Sequence, residues 1–177
     1  MQTDQERLYE VLEKFDSAML VTRATGGGAA SSAAGTGGAD TAAGLDARPM
    51  WIAKVEKSCD LWFFTDADSG KVRELAADPR VQIVAQDGGR FVSVAGTARV
   101  LDDRNKAREL WKEPYKVWFP DGVDDPRLRL IHVSADAGEF WDNAGGNKVK
   151  YLLKSAKAYV TGDRPKNDRD EHGSVRL

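Results

Sequence analysis

Short strand-like segments separated by turns run through most of the chain, and they constrain its fold more than any other feature. Alternation is clearest in residues 91–101, where a small or apolar residue occupies every second position from Val92 to Val100. Further strands are predicted at 17–23, 48–56, 61–65, 81–85, 128–134 and 138–142. Six or seven strands in hairpin-like order favour a mainly β (α+β) antiparallel barrel over a parallel βαβ sheet.

Helices are predicted around this barrel. Thr3 and Glu6 have the spacing of a capping box, and apolar residues at helical spacing follow them through residues 4–15. A second helix is predicted at 71–77. A third begins at Asp102 or Asp103 and ends by Pro114. A short helix-like segment follows at 149–158.

Residues 24–47 form a low-complexity segment made almost wholly of Ala, Gly, Ser and Thr, in which Leu45 is the one large apolar side chain. Such a segment buries too little surface to offset the entropy of ordering it, so the sequence predicts a mobile hairpin extension. The alternative is a glycine-rich phosphate loop. The segment has no G-x-x-x-x-G-K-[ST] motif and no Lys or Arg, which disfavours that alternative.

Length and composition exclude several functional classes. A chain of 177 residues suits one domain, predicted at 1–158 and followed by a charged tail at 159–177. The net charge of −2 provides no general attraction to nucleic acid. One cysteine and two histidines do not suggest a metal site or an internal disulfide. Neither a signal peptide nor a membrane span is predicted, which favours the cytoplasm.

An anion site is indicated where the strand at 61–65 leads into the helix at 71–77. Ser69, Gly70 and Lys71 at the helix N-terminus combine backbone N–H donors, the positive end of the helix dipole and a cation. Arg48, at the start of another strand, is a candidate for a guanidinium contact to the same anion. These groups suit a monophosphate. The alternative is an ordinary capped helix with Lys71 in solvent.

Aromatic residues form a second candidate constellation. Its members have faces that suit a planar ring, although a small barrel also uses aromatic residues in its core. Strand alternation places Trp62 and Phe64 on one face and Phe63 on the other. The constellation comprises Trp62, Phe64, Trp118, Phe119 and Trp141.

Several motifs occur in an order that resembles a known family. They are Arg48-Pro49-Met50, Trp62–Asp66 with Asp68-Ser69 and Lys71, Val92–Ala98, Trp118–Gly122 with Asp124–Pro126, and Glu139–Asp142. Together they resemble the general-stress-protein branch of the pyridoxamine 5'-phosphate oxidase-like split barrels. The resemblance implies an antiparallel split β-barrel with peripheral helices, forming a homodimer that binds FMN, or alternatively FAD, at the subunit interface.

The same resemblance implies a set of flavin-binding residues. Arg48, Pro49 and Met50 would run beside the isoalloxazine ring, and Phe64 and Thr65 would offer backbone contacts. No protein residue is implied as a catalytic nucleophile or base.

The remaining implied contacts are Ser69 and Lys71 at the phosphate, with Trp118 and Trp141 as candidates that reach across from the partner. The Arg-x-His motif by which pyridoxamine-phosphate oxidases bind their substrate is absent from the tail. Pyridoxamine phosphate is therefore not the predicted substrate.

Two functions follow as hypotheses. The first is a flavin-dependent oxidoreductase, in which the cofactor performs the electron chemistry. The second is a non-catalytic protein that stores or senses flavin. Binding of heme or a deazaflavin in the same cleft is a third hypothesis, since fold resemblance alone does not separate them.

Overall fold

Seven antiparallel strands dominate the computed structural model, which describes residues 2–25, 44–142 and 172–177. Their bounds are β1 Ser17–Arg23, β2 Leu45–Val55, β3 Leu61–Asp66, β4 Arg80–Asp87, β5 Arg90–Leu101, β6 Leu128–Asp142 and β7 His172–Arg176. The helices are α1 Asp4–Leu12, α2 Gly70–Ala77 and α3 Arg104–Leu110, with short 3-10 turns at Glu113–Val117 and Gly122–Asp124.

The strand order closes the sheet into a barrel. Neighbouring strands follow the order β3-β2-β1-β4-β5-β6-β7, and β3 also pairs with β6, so the first six strands in this order form a closed ring. Every pairing is antiparallel. The predicted mainly β antiparallel barrel with peripheral helices is confirmed.

Strand β6 is one long strand in a region where the sequence predicts two. β6 runs for 15 residues and covers both predicted segments, 128–134 and 138–142. Its register against β5 shifts between Ala95 and Gly96, which leaves Asp136 unpaired. A bulge of this kind interrupts the alternation of side chains, so the prediction of two strands was wrong. A Cβ at Gly96 would lie 2.3 Å from the Ser134 carbonyl oxygen, so the close approach requires glycine.

The C-terminal residues add the last strand. β7 pairs with residues 137–141 of β6, on the side that β3 occupies further along the same strand. Part of the predicted charged tail at 159–177 is therefore a strand of the sheet. The predicted helix at 149–158 lies outside the described residues.

Both described ends of the predicted extension at 24–47 belong to the β1–β2 hairpin. β2 begins at Leu45, and the Ala24 N–H donates to the Gly44 carbonyl at 2.8 Å. Pairing between β1 and β2 thus continues into the low-complexity segment, because backbone hydrogen bonds do not depend on side chains. The rest of the predicted extension, 26–43, lies outside the described residues.

The helices cover the barrel and complete its core. The Thr3 hydroxyl accepts from the Glu6 N–H and the Glu6 carboxylate accepts from the Thr3 N–H, which confirms the predicted capping box at α1. Asp103 caps α3, which ends at Leu110. No described helix is long and apolar enough to cross a membrane.

The core has two parts. The larger part fills the barrel and contains fully buried Phe63. The smaller part lies under α3 and contains Trp62, with Phe64 packed against it. The predicted alternation of these three residues is therefore confirmed, and the outer face of β3 becomes one wall of the cavity described next.

Candidate functional site

A cavity of about 550 Å³ opens beside the barrel. β1, β2 and β3, the first turn of α2 and the segment from Tyr115 to Phe119 provide its walls. Its volume lies within the range typical of sites for small molecules, about 300–1,000 Å³. It is therefore the part of the described structure best suited to a ligand.

Aromatic side chains make up much of the cavity wall. Phe64 packs against Tyr115 with ring centroids 4.7 Å apart, and Phe119 lies 6.5 Å from Phe64. Trp51 and Trp118 are 56% and 52% exposed, so the cavity is open to solvent beside their rings. Flat apolar walls of this kind suit a planar ring.

The polar part of the wall centres on Lys71, the second residue of α2. Its ammonium group forms no ion pair within the described parts of the chain. Burial lowers the pKa of Lys71, and repulsion from Arg48 lowers it further, whereas Asp66 and Glu74 oppose the shift. The charged lysine is thus poorly compensated, and an anion in the cavity would stabilise it.

The N-terminus of α2 lacks a side-chain cap. Ser69 occupies the N-cap position, but its hydroxyl pairs with the Thr65 hydroxyl at 3.2 Å and makes no cap hydrogen bond. The Val72 N–H donates to the Ser69 carbonyl at 3.1 Å, so among the described residues the N–H groups of this turn that are open to another acceptor are those of Gly70 and Lys71. Thr65 lines the cavity, which places this uncapped turn next to it.

Arg48 is held behind the cavity by a buried carboxylate. Glu74 accepts hydrogen bonds from Arg48 Nη1 and Thr22 Oγ1, each at 2.6 Å. Burial favours the protonated form of Glu74, but the hydrogen bonds from Arg48 and Thr22 outweigh burial and lower its pKa. Asp46 also pairs with Arg48, at 3.5 Å. The guanidinium is therefore largely occupied by protein carboxylates.

The structure brings most of the predicted site residues together. Ser69 does not line the cavity, but its hydroxyl pairs with that of Thr65, which does. Arg48 does not line the cavity either, because its guanidinium is bound to Glu74. Six of the nine predicted residues line the cavity itself: Pro49, Met50, Phe64, Thr65, Lys71 and Trp118.

Trp141 is the exception. It pairs with Phe91 across β5 and β6 and stacks on His172, with ring centroids 4.9 Å apart. These contacts lie away from the cavity, so Trp141 does not line the site of its own subunit.

Four lining residues were missed by the sequence analysis: Ser17, Trp51, Asp66 and Tyr115. Trp51 follows the predicted Pro49 and Met50 on the same strand, so alternation was a usable signal for it. Tyr115 belongs to a 3-10 turn whose packing against Phe64 has no counterpart in local sequence pattern.

The closed barrel and the cavity on its outer side define the class of protein: an antiparallel split barrel with a ligand-sized cavity beside the barrel wall. The chain belongs to the pyridoxamine 5'-phosphate oxidase-like family, because the sequence model described as "Pyridoxamine 5'-phosphate oxidase like" matches residues 3–166. Protein bli-3 of Neurospora crassa is 34% identical over 129 residues, which are 67% of this chain and 61% of that protein. The chain therefore spans less than two thirds of that relative's length.

Solved structures agree with this assignment. A protein from Jannaschia sp. CCS1 assigned to general stress protein 26 has a TM-score of 0.67 and 24% identity, and the match covers 98% of both chains. A general stress FMN/FAD binding protein from Xanthomonas citri has a TM-score of 0.60 and 25% identity, covering 80% of this chain and 90% of that one. The resemblance to general stress proteins of this family is confirmed.

Proposed function

We propose that the chain binds a flavin in this cavity, as FMN rather than FAD, and acts as a flavin-dependent oxidoreductase. The observation that carries the proposal is the presence, in one cavity, of several aromatic walls and a poorly compensated lysine. A flat ring with a phosphate group is the ligand chemistry that matches both. The flavin-binding relative from Xanthomonas citri supports the same assignment.

The residues present fit such a ligand. Pro49, Met50 and Phe64 would lie against the ring, where their apolar atoms replace water. Lys71 and the uncapped first turn of α2 would hold the phosphate. Because Glu74 and Asp46 occupy Arg48, we do not expect Arg48 to contact the phosphate directly.

Bound flavin supplies the electron chemistry of an oxidoreductase. The chain binds the ring, orients it against β2 and β3, and keeps water from the side that the barrel covers. Stopped-flow reduction by NADH or NADPH without oxygen separates this function from flavin storage. We expect bound flavin to be reduced faster than free flavin, whereas equal rates would leave storage or sensing as the function.

Flavin binding is the first expected result. Apo-protein titrated with FMN, FAD and riboflavin should bind FMN most tightly, because FMN combines the ring with a terminal phosphate. Calorimetry gives the three dissociation constants. Absence of FMN binding at high micromolar concentration would refute the proposed function, and heme binding under the same conditions would support the alternative ligand.

A homodimer is also proposed, from an apolar patch on the outer face of the barrel. Met19 on β1 pairs with Val84 on β4, and Trp51 on β2 pairs with Ser17 on β1, so these side chains share one face. Met19, Val84 and Trp51 are all exposed. A second copy of the chain would cover this patch symmetrically.

We expect light scattering after size exclusion to give twice the monomer mass of 19.4 kDa. Val84→Asp should shift the protein toward the monomer, because a carboxylate would be buried in the interface. Val117→Asp is the matched control, since Val117 is more exposed and lies on a 3-10 turn outside the patch. A wild-type protein that is monomeric at micromolar concentration would rule out the dimer.

A further inference from the structure

The Tyr115 hydroxyl is an unpaired polar group in the cavity wall. Tyr115 is only 8% exposed and lines the cavity. Its hydroxyl makes no hydrogen bond within residues 2–25, 44–142 and 172–177. Buried tyrosine hydroxyls usually have a partner within the protein, so one without such a partner is left to bond water or a ligand.

The hydroxyl oxygen of this side chain is not fully enclosed by the protein. Among the described residues, the one fully enclosed side-chain polar atom without a partner is Arg90 Nε, so the Tyr115 oxygen retains contact with solvent. The ring, in contrast, is packed: its centroid lies 4.7 Å from that of Phe64 and 5.8 Å from that of Trp111. Because the residue lines the cavity, we infer that this solvent contact of the hydroxyl lies in the cavity.

The packing also fixes where the hydroxyl can act. Two neighbouring rings restrict the Tyr115 side chain, so its hydroxyl is held at one place in the cavity wall before any ligand binds. Burial raises the pKa of Tyr115 and therefore keeps the phenol protonated, as a donor requires. A preorganised donor loses little entropy when it forms a hydrogen bond.

Three other polar residues in the wall already have partners or a proposed role. Thr65 pairs with Ser69, and Asp66 accepts from the Asp68 N–H at 2.8 Å and pairs with Arg127 at 3.6 Å. Lys71 is a cation suited to the phosphate of the ligand. Ser17, Trp51 and Trp118 also carry neutral donors, but all three residues are exposed. Tyr115 is thus the buried neutral donor that remains for a different, uncharged acceptor.

We propose that the Tyr115 hydroxyl is a binding group for the ring system of the flavin, donating a hydrogen bond to one of the ring's carbonyl or imine acceptors. The inference rests on the proposed flavin function and adds a specificity residue to it. In this arrangement Tyr115 favours ligands whose ring carries a hydrogen-bond acceptor, and Lys71 favours ligands that carry a phosphate. The two contacts are separable because riboflavin keeps the ring and lacks the phosphate.

Tyr115→Phe tests the inference, since it removes one oxygen and keeps the ring that packs on Phe64. We expect the dissociation constants of FMN and riboflavin to rise by the same factor, roughly three- to tenfold, as for one neutral hydrogen bond. Tyr9→Phe is the matched control, because the Tyr9 hydroxyl, on α1, donates to Glu13 and neither residue lines the cavity. That variant should bind both flavins as the wild type does.

Thermal unfolding of the apo-proteins gives a second measurement that does not depend on ligand. An unpaired hydroxyl can be removed without loss of an internal hydrogen bond, so apo Tyr115→Phe should melt at or above the wild-type temperature. A lower melting temperature would show that the hydroxyl has a protein partner, and would overturn the inference. Unchanged flavin affinity in Tyr115→Phe would also overturn it while leaving the proposed function intact, whereas a wild type that binds no flavin would refute both.

Discussion

Lys71→Glu is expected to abolish measurable FMN binding at micromolar concentration while riboflavin binding persists. The substitution places a carboxylate where the proposed phosphate lies and turns attraction into repulsion. Lys71→Ala should weaken FMN binding by roughly ten- to a hundredfold, since a hydrogen bond to a charged group contributes about 1.5–3 kcal/mol. Calorimetric titration of each apo-protein with both flavins measures the two effects.

Riboflavin and a second charge reversal are the controls for Lys71. Riboflavin lacks the phosphate, so its affinity should be nearly the same in all three proteins. Arg73→Glu reverses a charge on the same helix at an exposed position outside the cavity, where Arg73 bonds the Asp68 carbonyl. It should change FMN affinity far less. Equal losses for FMN and riboflavin in Lys71→Ala would contradict this position for the phosphate.

The pH dependence of binding has a definite sign. Burial lowers the pKa of Lys71 in the free protein, and a bound phosphate would raise it again. FMN affinity should therefore fall as pH rises through the lowered pKa, because the neutral amine no longer attracts the phosphate. The ratio of FMN to riboflavin affinity measures this effect, since ionisation of the ring is common to both ligands. In Lys71→Ala the ratio should be independent of pH over the same range.

Glu74→Ala is expected to lower the free energy of unfolding by about 2–4 kcal/mol. The Glu74 side chain is 9% exposed, and its loss leaves Arg48, which is 23% exposed, without its main counter-ion. It also leaves the buried Thr22 hydroxyl without its 2.6 Å partner. A domain with a total stability of about 5–15 kcal/mol would lose a large part of it. Urea unfolding at neutral pH measures the change.

Thr22→Val separates the two contacts of Glu74. It keeps the side-chain shape and removes one hydrogen bond, so we expect a smaller loss, about 1 kcal/mol. Glu74→Gln retains the shape and hydrogen-bonding capacity but removes the charge, and it should lie between Thr22→Val and Glu74→Ala. A Glu74→Ala protein within about 0.5 kcal/mol of wild type would show that the network does not stabilise the fold.

The stabilising effect of Glu74 should also depend on pH. Its pKa is lowered in the folded protein, so the unfolded chain takes up a proton first as the solution becomes acidic. The contribution is complete above the ordinary pKa of 4.5 and is lost as pH falls through the lowered value. The stabilities of wild type and Glu74→Ala should therefore converge in acid.

Local sequence patterns predicted the elements that depend on local physics. Alternation in 91–101 corresponds to β5, the Thr3 and Glu6 capping box begins α1, and Trp62 and Phe63 lie on opposite faces of β3. Lys71 could be named as a candidate anion-binding residue because a lysine at a helix N-terminus after a strand is a local sequence pattern. Its position in the cavity wall agrees with that prediction.

Other features depended on residues that are distant in the chain. β6 is continuous because β5 pairs with it on both sides of the bulge at Asp136, across the stretch where its own alternation fails. β7 forms because β6 offers it an open edge, although the segment 172–176 is short and mostly polar. Neither outcome is visible in the side-chain pattern of the segment itself.

Local pattern in the sequence was enough to predict the mainly β character, the order of the elements from α1 to α3, and a lysine at the start of a helix that follows a strand. The tertiary structure alone decided which of those residues meet. It placed Tyr115 against Phe64, turned Arg48 toward Glu74 and kept Trp141 away from the cavity. The reason is that local periodicity reports which face of an element a side chain occupies, whereas closure of the barrel sets which faces come together.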